Sequence, residues 1–103
     1  MLRGMKRILP ALFLLSACGA SPAPEFFGAV RSDVTRNGRG YVVFHTDRRA
    51  EVIRLGYARR GEHQAIRADM IDLIPDATGC RLVPSTLQGD SGEMRGSIIC
   101  PDP

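Results

Sequence analysis

Histidine, serine, cysteine and clustered arginine are the side chains here that could carry chemistry. The chain has two histidines, His45 and His63. Neither has a second histidine or a cysteine at the short spacing by which one strand or helical turn presents two metal ligands, so no metal site is indicated. His45 is expected on the solvent face of a strand and His63 in a first helical turn. Ser91 lies in Gly89-Asp90-Ser91-Gly92, where glycine and aspartate are also good hairpin-loop residues because both tolerate unusual backbone angles. Arg48, Arg49, Arg54, Arg59 and Arg60 cluster around one stretch of chain. They lack the interleaved aromatics of a nucleic-acid stacking platform. Solvated surface is the plainer reading of them and an anionic partner the sharper one.

Gly89-Asp90-Ser91-Gly92 resembles the tetrapeptide around the nucleophile of chymotrypsin-like serine proteases. The likeness covers those four residues. That family builds its site between two β-barrels, in the order His, Asp, Ser, on a much longer chain, and Glu93 stands where its motif carries a further glycine. His45 and Asp47 precede Ser91 in the required order but sit side by side on one segment, with no second barrel to bring Ser91 to them. A triad is recognised by geometry. Ser91 is therefore read as a turn residue, with no catalytic residue and no cofactor expected.

The first of the three cysteines, Cys18, points to a membrane. Met1 to Arg7 is a short basic segment, and Ile8 to Leu15 is an apolar run well below the roughly 20 residues of a spanning helix. Leu15-Ser16-Ala17-Cys18 resembles the lipobox of bacterial lipoproteins. The resemblance implies a signal peptide over residues 1–17, diacylglycerol on the Cys18 thiol, cleavage before it and further acylation (palmitate) of the new amino group. Several acyl chains hold where one is marginal. The competing rule is ordinary cleavage after Ala17 or Ala20, which releases a soluble protein. Gly19 is not the aspartate of the known inner-membrane retention signal, so the periplasmic face of the outer membrane is expected. Residues 18–25 then form the lipidated cysteine and a Pro/Ala-rich tether, and residues 26–103 a single small domain.

Ala29–Arg36 and Tyr41–Thr46 are rich in strand-forming residues, and Asn37-Gly38-Arg39-Gly40 between them suits a hairpin turn. A turn at Asp47-Arg48-Arg49 leads to a third strand, Ala50–Tyr57. Centring that turn on Arg48 or just after it sets Phe44 opposite Ile53 and Val42 opposite Leu55. From Glu62 to Ile74 the apolar period becomes helical, with Ile66, Met70, Leu73 and Ile74 on one stripe, and Pro75 followed by Gly79 marks a kink or stop. Cys80–Ser85 and Met94–Cys100 read as a closing pair of strands. The expected class is α+β, a small antiparallel sheet in β-β-β-α-β-β order with one helix on one face.

If the last hairpin is centred near Asp90, Cys80 faces Cys100 and Leu82 faces Ile98. In an oxidising compartment the two cysteines then form a disulfide, worth about 3 kcal/mol through loop closure. The helix is expected on the face carrying Val42, Phe44, Ile53 and Leu55. That leaves Tyr41, His45 and Arg54 on an open face, with Arg48 and Arg49 at its rim, as the candidate partner-binding residues. The N-terminal tether or the last hairpin folding across that face is the competing account.

From Cys18 onward the chain has 11 Arg, no Lys and 11 acidic residues. The mature protein is neutral, which removes the bulk electrostatic argument for nucleic acid. Residues 25–60 are arginine-rich and residues 61–103 acidic, so the surface is either polarised or self-neutralising. Phe26-Phe27-Gly28, Glu51-Val52-Ile53-Arg54, Thr78-Gly79-Cys80 and Gly89-Asp90-Ser91-Gly92 resemble segments of small uncharacterised lipoproteins of Gram-negative bacteria, a class with no assigned activity to carry over. The expected function is a non-enzymatic envelope module that binds or assembles an envelope protein or anionic envelope component. The alternatives are a small hydrolase using Ser91 and a periplasmic ligand carrier.

Overall fold

Asn37 and Gly38 both adopt positive φ, 53° and 77°, the requirement of a two-residue turn whose twist matches its flanking strands. The turn zips β1 (Val30–Arg36) to β2 (Arg39–His45), with Arg36 opposite Arg39 and Val30 opposite His45. The structure is a computed structural model and describes residues 21–101. Cys18 and the preceding leader lie outside the described residues.

The next turn is also tight. Thr46 Oγ1 accepts from the backbone N–H groups of Arg48 and Arg49, and the Thr46 N–H donates to the Arg49 carbonyl. The chain therefore reverses between Asp47 and Arg48 and runs into β3 (Arg49–Arg54). Phe44 faces Glu51 and Val42 faces Ile53, two residues from the pairing expected with a later turn. A slip of two leaves every side chain on its original face.

The sheet is antiparallel, in the order β1-β2-β3-β6 (Glu93–Ile99)-β4 (Arg81–Leu82), with β5 (Gln88–Gly89) also paired to β6. Leu82 of β4 faces Ile98, and two positions further out Cys80 and Cys100 form the expected disulfide, with their Cα atoms 4.2 Å apart. The expected continuous strand Cys80–Ser85 is broken. Pro84 has no N–H for a ladder, and a 3-10 turn, Pro84–Thr86, interrupts the edge before β5 (Gln88–Gly89) resumes it. Thr86 Oγ1 fills the gap by accepting from the Ser97 N–H at 2.8 Å.

Helix α1 (His63–Thr78) buries Ile66, Met70, Leu73 and Ile74. It continues one turn past Pro75 and stops at Gly79, whose N–H donates to the Pro75 carbonyl. The residue before a proline resists helical angles, and burial of Leu73 and Ile74 holds this turn against that bias.

The helix lies on the face opposite to the one expected. Tyr41, Val43, Ala50 and Val52 are beneath it, joined by Met94, Ile98 and Leu82 in one core. The first three strands alone do not distinguish the two faces. Across β6 the first face continues as Met94, Gly96 and Ile98, whereas the second meets Glu51, Glu93 and Arg95. Only the first is apolar across the sheet, so the longest apolar stripe takes it. The second face is covered by the N-terminal segment. Phe26, buried at the end of the 3-10 turn Pro24–Phe26, packs on Val42 and Phe44, with Ala23, Ala29 and Ile53 around it.

Candidate functional site

The end of the sheet away from the Asp47-Arg48 turn gathers the Asn37-Gly38 turn, the end of β3, the start of α1 and the β5–β6 turn. The last of these holds Ser91. Gly89 enters the turn at φ 110°, where a Cβ would fall 2.1 Å from the Glu93 carbonyl oxygen, so glycine is required there. The Asp90 N–H donates to the Glu93 carbonyl at 2.7 Å. Asp90 Oδ1 accepts from the Gly92 and Glu93 N–H groups at 2.8 and 3.3 Å, and these bonds hold its pKa below the ordinary carboxylate range. Arg54 clamps the turn twice, by its backbone N–H to the Gly92 carbonyl and by its guanidinium to the Ser91 carbonyl at 2.9 Å.

The buried Ser91 hydroxyl meets a histidine. Its Oγ lies 2.5 Å from His63 Nδ1, a hydrogen bond between the two side chains. His63 does open α1, as expected from its place in the sequence, but its pairing with Ser91 is not legible there. The two are 28 residues apart and meet only because the β5–β6 turn and the helix start share one end of the sheet.

A serine-histidine pair can activate a hydroxyl, but acyl transfer also needs donors aimed at the developing oxyanion and a group orienting the base. The Gly92 and Glu93 N–H groups are already committed to Asp90. Glu62 accepts from the Arg59 N–H at 2.8 Å and from Arg39 at 3.1 Å, and these bonds, that to Arg59 first, lower its pKa. Asp69 is bound by Asn37, Arg39 and Tyr41. In this arrangement the pair ties a hairpin turn to the first helical turn.

The five candidate partner-binding residues do not form one face. Tyr41 is a correction: it is fully buried under α1, its hydroxyl donates to Asp69 Oδ2 at 2.9 Å, and burial foremost, with Asp69 second, pushes its pKa up to about 12. Arg54 is occupied by the Ser91 turn and the Gly56 carbonyl. Arg49 is on the opposite face, bonded to Glu25 at 2.9 Å and to Ser97. Arg48 is exposed on its turn. His45, expected in solvent, is half-buried, and its Nδ1 has no partner among the described residues. It borders an open cleft of about 440 Å³ between Phe27, Val30, Asp47, Thr78 and the disulfide.

A buried acid under the N-terminal segment carries no signal in the sequence. Glu51 is 2% exposed and accepts from the Ala23 N–H at 3.0 Å. Burial, then its contact with the Glu93 carboxyl, raises its pKa to about 7. Among the described residues no group of three or more His, Cys, Asp or Glu is placed to hold a metal, and no helix is long and apolar enough to cross a membrane. Comparison of the chain with protein-family models, with curated proteins and with solved structures finds no match in any of the three.

Proposed function

We propose that this chain is a lipid-anchored envelope protein, attached through Cys18 to the periplasmic face of the outer membrane, whose domain acts as a non-enzymatic binding or assembly module. The anchor is inferred from Leu15-Ser16-Ala17-Cys18 behind a short apolar run. The observation that most supports a non-enzymatic role is that no carboxylate among the described residues orients His63 as a base for Ser91, since the adjacent Glu62 is taken by the Arg59 N–H and by Arg39. Docking of Ala23 and Phe26 on the sheet further supports a short link between membrane and domain. Labelled palmitate should enter the native protein and not Cys18→Ala. Equal labelling of the two would remove the anchor.

A small serine hydrolase is the second reading, and the 2.5 Å contact between Ser91 Oγ and His63 Nδ1 is what favours it. An active-site-directed fluorophosphonate separates the two. The binding module should remain unlabelled, whereas stoichiometric labelling lost in both Ser91→Ala and His63→Ala would establish a nucleophile.

A further inference from the structure

Between β3 and α1 the chain crosses the end of the sheet on a short crest that is fixed at both sides. The Leu55 N–H donates to the Gly40 carbonyl at 2.9 Å, Ala58 packs against the main core, and the Arg59 N–H is held by Glu62. Between these fixed points Tyr57 stands fully in solvent, with Leu55 43% exposed beside it. An ordered loop that holds a whole aromatic ring away from the core forgoes its burial. Arg59 and Arg60 follow at once, both exposed and with no side-chain partner among the described residues.

The surrounding charge is one-sided. Glu62 is taken by Arg39 and by the Arg59 N–H, Asp90 is turned onto its own backbone, and Arg54 and Arg67 stand at the same end, bonded only to carbonyls. Leu55 also shares the face on which the N-terminal segment docks. Glu51, which holds the Ala23 N–H, lies four residues earlier on the same strand line, about 13 Å away at strand rise. Four residues lie between Cys18 and Ala23, so the five steps of chain from one to the other reach at most about 18 Å.

We propose that the Leu55–Arg60 crest seats on the anionic headgroup surface of the bilayer to which the chain is tethered, with Tyr57 and Leu55 at headgroup depth and Arg59 and Arg60 against lipid phosphates. This rests on the anchored reading above. Tyrosine is at home at that depth because its ring is apolar and its hydroxyl wet. Each arginine near an anionic surface strengthens binding about fivefold, too little to recruit the domain from solution but enough to orient one already tethered.

The chain contains no tryptophan, so full-length Tyr57→Trp carries a single indole reporter. In the lipidated variant reconstituted into vesicles of phosphatidylcholine with roughly 30% phosphatidylglycerol, the indole emission should shift to the blue and be quenched by bromolipid. Both signals should weaken in phosphatidylcholine alone, in high salt, and about 25-fold in occupancy ratio with Arg59→Ala and Arg60→Ala together, with an unchanged melting temperature. Flotation of the same vesicles reports the anchor separately. If the protein fails to float in either composition, the anchored reading fails, and the indole emission is then read with the domain held by an N-terminal His tag on nickel-chelating lipid in vesicles of the same two compositions. Emission indifferent to vesicle composition would overturn the crest proposal, as would a shift seen with soluble heparin and absent with anionic vesicles.

Discussion

Tyr41 shows at the residue scale how one side chain changes role when its neighbours are known. It alternates with Val42 on β2, and three strands alone leave either face free to take the helix. Its hydroxyl, bonded to Asp69 together with Asn37 and Arg39, instead makes it the polar centre of the helix–sheet contact. Tyr41→Ala should therefore cost about 3–5 kcal/mol by chemical denaturation, while Tyr41→Phe should cost about 1–2 kcal/mol because Asp69 loses one of three donors. Near-wild-type stability of Tyr41→Ala would return the side chain to the surface. Glu51 supplies a pH dependence. Its folded pKa of about 7 lies above the ordinary 4.5, so the stability it contributes is fully present below about pH 4.5 and is lost as the pH rises through 7. The melting temperature should drop by roughly 5 °C or more between pH 5 and pH 8, and Glu51→Gln should flatten that slope. An equally steep profile in the variant would place the titration elsewhere.

At the scale of elements, what depends on neighbours in sequence is legible and what depends on distant strands is not. Asn37-Gly38 specifies its hairpin through the backbone angles that those two residues tolerate. The Cys80–Cys100 pairing follows from hairpin register alone, and Leu82 opposite Ile98 confirms that register. The second turn falls earlier than expected because Thr46, a strand former by residue type, caps it instead. The helix takes the unexpected face because Met94, Gly96 and Ile98 decide the matter from β6, which is joined to β3 by no local signal. The meeting of His63 with Ser91 needs that same strand order and leaves no trace in spacing. The Ser91 turn offers the sharpest element-scale test. Gly89→Ala forces a backbone clash at positive φ and should destabilise the domain by about 2 kcal/mol or more, whereas Ser91→Ala should cost only about 1 kcal/mol for its bond to His63. The reverse order, measured by urea unfolding, would mean that the hydroxyl and not the turn backbone organises this end of the sheet.

For the molecule as a whole, the sheet is covered on one side by α1 and on the other by its own N-terminal segment, so the chain ahead of Ala23 leaves from a face of the domain and not from a loose end. Phe26 over Val42 and Phe44, Ala23 on Glu51 and Glu25 on Arg49 hold that segment down. A membrane anchor five residues further on would bring the domain close to the bilayer, and the exposed crest with Tyr57, Arg59 and Arg60 lies at one end of the sheet beside that face. Anchoring at Cys18 would thus decide what the rest of the surface can meet. Intact-mass spectrometry of the protein extracted in detergent from its native membrane tests this most directly. A chain that begins at Cys18 and carries the added mass of its acyl chains is the predicted result, and an unmodified chain that begins at Cys18 or Ser21 would contradict it.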